Sequence, residues 1–176
     1  RIKKTEGELT TEDMAKVKEM HSYESQISDL SALKNATGLE RLLLPKNHIS
    51  DLSPLSGLQS LTFLQLNRNQ ISDITPLSGL TNLKSLDLYD NQISDLSPLV
   101  GLKQLTTLNL STNPKLTRAQ IDELQKALPN CVISHDHSTS SEKLIAQIRV
   151  RIKKTEGELT TEDMAKVKRL EFHKKQ

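Results

Sequence analysis

Leucines recur along this chain in the order Leu-x-x-Leu-x-Leu-x-x-Asn, and the frame returns every 22 residues. Residues 49–70 read ISDLSPLSGLQSLTFLQLNRNQ, and residues 71–91 read ISDITPLSGLTNLKSLDLYDN. Four full units begin at Ile27, Ile49, Ile71 and Ile93. Alternation of apolar and polar positions predicts a short strand in each unit, centred on Leu42-Leu43-Leu44, Leu64-Gln65-Leu66, Leu86-Asp87-Leu88 and Leu108-Asn109-Leu110. The flanking leucines face a core and the middle residue faces away. Asn47, Asn69, Asn91 and Asn113 hold one recurring place, where a side-chain amide can satisfy turn backbone that has no ladder partner. Ser53-Pro54, Thr75-Pro76 and Ser97-Pro98 read as cap-plus-proline pairs, each opening a single helical turn. One unit cannot bury its own leucines, so the units must stack into a continuous core.

The flanks carry other periods. Thr10 with Asp13, and Thr117 with Gln120, mark helix starts. Ile121, Leu124 and Leu128 share a helical face that Pro129 ends, and Cys131-Val132-Ile133 reads as a last strand. The expected divisions are a cap with the first strand over residues 1–26, the repeats over 27–114, a capping repeat over 115–134, a linker over 135–141, and a further segment over 142–176.

The Ile-Ser-Asp-Leu-Ser-Pro-Leu element within a 22-residue frame resembles the leucine-rich repeats of the bacterial internalin class, over roughly residues 5–134. The resemblance implies an α/β leucine-rich repeat solenoid: a right-handed curved superhelix with a parallel concave sheet, short turns on the convex side and helical caps. It also implies a partner, protein or peptide, on the concave face.

A second pattern cuts across the first. Residues 151–168, RIKKTEGELTTEDMAKVK, repeat residues 1–18 without a change. Such identity beside diverged repeats points to a duplication that is either recent or engineered, the engineered origin being the preferred reading. Leu144, Ile145, Ile148 and Ile152 form an apolar helical stripe before the second copy. The internalin resemblance implies a cap helix at that place, so the second copy carries the whole cap, whereas the first runs directly into the repeats. Over the last eight positions the copies differ. Leu170 and Phe172 suit the two buried strand places better than Met20 and Ser22, and a Phe-to-Ser difference at a buried site costs about 3 kcal/mol. The four concave positions of the first strand differ as well, Glu19, His21, Tyr23 and Glu24 standing against Arg169, Glu171, His173 and Lys174, so exchange of the copies would change the surface offered to a ligand. Two copies cannot fill one seat, so competition is expected. Six strands span roughly 24 Å, and a seven-residue linker reaches at most about 25 Å. Reach within one chain is therefore marginal, and self-association by cap exchange is the alternative.

Composition narrows the function. A formal net charge of +2 gives no footprint for nucleic acid. No run of 18 apolar residues is present, so no membrane span is expected. The polar opening of the chain shows no secretory signal. Cys131 is the one cysteine and is expected to be a small buried apolar group. His135 and His137 lie in a linker with no further ligand at a metal spacing, and no cofactor is expected. No nucleophile-and-base set stands out, which argues against an enzyme. Gly57, Gly79 and Gly101 recur as turn glycines.

Candidate binding residues are the outward ones: Arg41, Leu43, Lys46, Phe63, Gln65, Arg68, Ser85, Asp87, Tyr89 and Asp90. Leu43, Phe63 and Tyr89 are expected to be exposed apolar groups flanked by charge, which is the chemistry of protein-binding hot spots. A purely structural exchange design with no ligand is the rival reading.

Overall fold

The computed structural model describes residues 10–136 together with residues 148, 149, 152 and 160. A short helix α1 (Thr11–Ala15) leads to strand β1 (Glu19–His21). Strands β2 (Arg41–Leu43), β3 (Phe63–Gln65), β4 (Ser85–Asp87) and β5 (Thr107–Asn109) follow, separated by single 3-10 turns. Helix α2 (Arg118–Ala127) and strand β6 (Val132–Ser134) come last. The six strands form one parallel sheet in chain order.

The register explains why a 22-residue period makes a sheet. Met20 pairs with Leu42, Leu42 with Leu64, Leu64 with Leu86, Leu86 with Leu108, and Leu108 with Ile133. Each inward leucine sits beside its counterpart one unit on, so one apolar column serves all units. Leu42, Leu44, Leu64, Leu66 and Leu88 are fully buried. Hydrogen bonding runs past each strand end, with Leu44, Leu66 and Leu88 N–H donating to the Gln65, Asp87 and Asn109 carbonyls at 2.9 Å.

The asparagines form a second ladder, as their recurrence predicts. The Oδ1 atoms of Asn47, Asn69, Asn91 and Asn113 accept from the N–H of Ile27, Ile49, Ile71 and Ile93 at 3.0 Å. Their Nδ2 atoms donate back to the carbonyls of Ser22, Leu44, Leu66 and Leu88, again at 3.0 Å. Each side chain therefore ties one repeat to the one before it.

The turn caps correct the sequence expectation. Ser53, Thr75 and Ser97 begin the 3-10 turns rather than capping them, and the cap residues proper, Leu52, Ile74 and Leu96, make no side-chain cap bond. The acceptors are Asp29, Asp51, Asp73 and Asp95, which take the N–H of the residue two places on at 2.8 to 2.9 Å. An aspartate that reaches its own backbone two residues ahead makes an Asx turn. The first repeat has Ala32 where the others have proline and still forms its turn over Ser31–Leu33. Aspartate is thus the shared device and proline an accessory.

Both predicted helix starts form complete capping boxes, Thr10 with Asp13 and Thr117 with Gln120. Ile121, Leu124 and Leu128 are buried under the end of the array. The last strand begins at Val132, one residue later than the sequence suggests; Cys131 precedes it and is buried. Burial pushes its thiol up to about 12, so it offers no thiolate nucleophile near neutral pH.

The first cap copy occupies the sheet's N-terminal end. Met20 lies in the Leu42 column, and Ser22 N–H donates to the Leu43 carbonyl at 2.9 Å. Met14, Val17 and Met20 pack on the core while staying partly exposed. Gly38 marks the seat: a Cβ there would overlap the Ala15 carbonyl oxygen. The equivalent places one, two and three repeats on are Ser60, Asn82 and Gln104, where no cap helix approaches. Gly57, Gly79 and Gly101 occupy open turns, and none needs left-handed backbone. Of the second segment, Ile148, Arg149 and Ile152 are helical, as the apolar stripe predicts, and Ile148 is buried at 6% exposure. Leu144, Leu170, Phe172, His137 and most of residues 142–176 lie outside the described residues.

Candidate functional site

The outward side chains form columns set by register. Glu19, Arg41, Phe63, Ser85, Thr107 and Val132 make one, and His21, Leu43, Gln65, Asp87, Asn109 and Ser134 make the next. Beyond the strand ends, Glu24, Lys46, Arg68, Asp90 and Thr112 all adopt left-handed backbone, with φ between 53° and 58°. This conformation is uncommon for residues with a Cβ. Here it turns the chain out of each strand and into the asparagine that follows Lys46, Arg68, Asp90 and Thr112, or into Ser25 after Glu24.

Adjacent repeats bring cations over rings. The Arg41 guanidinium lies 4.3 Å from the Phe63 centroid, Arg68 lies 5.6 Å from Tyr89, and Lys46 Nζ lies 5.0 Å from Tyr23. These contacts overturn one expectation. Leu43, Phe63 and Tyr89 are half-buried rather than exposed, because strands about 4.8 Å apart let neighbouring side chains cover them. Among the described residues the exposed large apolar groups are Tyr23, at 58%, and Val100. Tyr23, expected both in the cap and on the concave side of the first strand, is thus an exposed ring of this face.

Charge follows the same geometry. Arg41 Nε donates to Glu19 at 3.2 Å, Lys46 Nζ stands 3.5 Å from Glu24, and Arg68 Nε stands 3.9 Å from Asp90. The Tyr23 hydroxyl, and after it Glu24, hold the Lys46 ammonium above its ordinary value. Asp87 is shifted up by burial, partly offset by the Tyr89 N–H that it accepts at 3.1 Å. That bond gives Asp87 a local structural role besides its place on the face.

Two clefts open on the face among the described residues. One, of about 510 Å³, is lined by Glu24, Gln26, Lys46, Asn47, His48, Arg68 and Asp90. The other, of about 240 Å³, lies over Phe63, Gln65, Ser85, Asp87 and Asn109 and reaches Val132 and Ser134. The predicted residues thus divide: Lys46, Arg68 and Asp90 meet in the first, Phe63, Gln65, Ser85 and Asp87 in the second. Arg41, Leu43 and Tyr89 line neither. Glu24, a concave position of the first strand in the sequence reading, joins the first cleft; Gln26 and His48 escaped that reading, although their 22-residue offsets from His48 and Gln70 place them in one column.

A family model described as leucine-rich repeats, two copies, matches residues 37–79 and 81–126, together just over half of the chain. The chain belongs to the leucine-rich repeat family. No curated protein matches it. Among solved structures this leucine-rich repeat protein is similar to an internalin (inlF) from Listeria monocytogenes, with a TM-score of 0.67 and 30% identity over 76% of this chain. It is also similar to a leucine-rich repeat protein from Leptospira interrogans, with a TM-score of 0.57 and 27% identity over 62% of this chain. The chain spans 40% of the internalin's length and 29% of the Leptospira protein's. Among the described residues no group of three or more His, Cys, Asp or Glu is placed to hold a metal ion, and no helix is long and apolar enough to cross a membrane.

Proposed function

We propose that this leucine-rich repeat protein is a non-catalytic scaffold that binds a protein or peptide on the concave face of its sheet. The observation that carries the reading is the set of three cations laid over aromatic rings on one face. Rings and guanidinium groups held in place lose little side-chain freedom on contact, which is why such residues dominate binding energy. The test begins with binders selected against the whole chain from a displayed peptide library. Replacing Phe63 and Tyr89 by Ala should weaken them more than tenfold, while Ser78→Ala on the turn side should leave them unchanged. Binders that ignore the first change and lose affinity with the second would reject the reading.

A finer reading concerns the two caps. We infer that the duplication is engineered and that the copies compete for the seat at Gly38 and β2. Ala15 and Val17, which meet that seat, recur unchanged as Ala165 and Val167. Val17→Asp should cost little if the second copy replaces the first; adding Val167→Asp should then cost about 2 kcal/mol more. Equal midpoints for the single and double variants in urea would end the competition idea. Scattering mass over a hundredfold concentration range separates the two modes: a constant monomer means exchange within a chain, and growing mass means exchange between chains.

A further inference from the structure

We propose that Lys46 and Arg68 form a slot for a single carboxylate carried by an acidic segment of the protein partner; this deepens the concave-face reading and rests on it. The two residues hold the same place in consecutive repeats, with φ of 53° and 58°, so their side chains leave equivalent backbone on neighbouring strands. Both line the larger cleft. Tyr23 underlies one cation and Tyr89 the other.

Of the slot's two cations, Lys46 is shared with Tyr23 and Glu24, whereas the Arg68 guanidinium is left without a hydrogen bond among the described residues. Arg68 Nε stands 3.9 Å from its nearest carboxylate oxygen, on Asp90, which is beyond hydrogen-bond range. Among the described residues its guanidinium donates no hydrogen bond. Arg41 and Arg118, by contrast, donate to Glu19 and Asp122 at 3.2 and 2.8 Å. Lys46 reaches Glu24 only at 3.5 Å. A planar fork with free donors matches a carboxylate bidentately, and the adjacent ammonium adds a point charge.

Charge order selects the ligand. Across the cap strand and the first three repeats the column reads Glu24, Lys46, Arg68, Asp90, with an acid at each end of a cationic pair. One carboxylate fits between the cations. A polyanion running along the column would meet like charge on both sides, so nucleic acid and other polyphosphates are disfavoured.

The experiment follows arginine Nε resonances of the isotopically labelled full chain by NMR. Two probes are added in turn, the capped tripeptides Gly-Glu-Gly and Gly-Gln-Gly. The Glu peptide should shift Arg68 saturably and the Gln peptide should not, while Arg118 moves only with ionic strength. Lys46→Gln should weaken the Arg68 response about tenfold, because it keeps the fork and removes the adjacent charge. Equal shifts with both peptides, or all arginines moving together, would overturn the slot. Tenfold or tighter preference for a phosphoserine tripeptide would also overturn the carboxylate assignment. If the Glu peptide fails while selected binders still depend on Phe63 and Tyr89, the slot falls and the concave-face reading stands. If both fail, both fall.

Discussion

From Leu39 to Ile93 the inward aliphatic side chains are exposed by 1% or less, whereas Met14, Val17, Met20 and Ile27 at the N-terminal end remain partly exposed. The hydrogen bonding differs in the same sense. Each interior repeat receives an asparagine from the next, but the place of that asparagine in the first strand's own unit is held by Ser25, whose hydroxyl bonds locally to Ser22 and Tyr23. Helix α1 has five residues and buries none of them fully. In a stack where each unit touches only its neighbours, stability is close to a sum of local terms. The interior is therefore firm, and the N-terminal end is weakly held.

The sharpest contrast should come from truncating paired positions in one column. Leu64→Ala, at a site with no exposure, should cost about 3 kcal/mol. Met20→Ala, two strands away in the same column, should cost less than half of that, because water already reaches the site. Urea midpoints of the two variants measure the difference directly. Similar costs would mean that the end is as firm as the middle.

Glycine replacement should give a smaller effect confined to the seat. Gly38→Ala drives a Cβ into the Ala15 carbonyl and should cost about 2 kcal/mol. Gly57→Ala meets open space and should change stability by a few tenths of a kcal/mol at most, and in the favourable direction. Backbone amide exchange would show Gly38→Ala loosening residues 10–21 and leaving β3 to β5 protected.

Acid should produce the mildest change, spread along the turn side. Backbone and then hydroxyl hydrogen bonds hold Asp29 and Asp95 below the usual carboxylate value; for Asp51 and Asp73 the hydroxyl contribution comes first. A depressed folded value means stabilisation present above the unfolded value, near pH 4, and lost as pH falls through the lower folded one. Asp87, raised by burial, acts the other way and gains stability on protonation. Four residues against one predict a net loss below about pH 4. Asp73→Asn keeps the turn's acceptor and should flatten that loss with little change at neutral pH.

The period made the fold legible. An alignment at 22 residues places the leucine columns and the asparagine ladder correctly, and local Thr-x-x-Asp and Thr-x-x-Gln signals place both capping boxes. The turn caps were misread because Ser-Pro and Thr-Pro are strong local signals, and they mask an aspartate two residues earlier that reaches forward over its own backbone. The start of β6 slipped by one residue because Cys131 is as apolar as a strand residue and continues the run. The cations over rings were harder to see. Arg41 with Phe63 is a 22-residue step, but Lys46 with Tyr23 and Arg68 with Tyr89 are diagonal neighbours, and diagonals depend on side-chain rotamers that a sequence does not display. The acceptance of a cap at Gly38 was legible only as an interruption of the repeat.

The asparagine ladder also makes the molecule a ruler with fixed graduations. Every interior repeat accepts from the one after it and donates to the one before it, so the joint between any two is chemically the same. Adding or removing 22 residues lengthens or shortens the sheet by one strand, about 4.8 Å, without creating a new kind of joint. The separation between groups on the outer face is therefore available only in whole steps. A partner that spans several repeats must match a multiple of that step, whatever the side chains along the way.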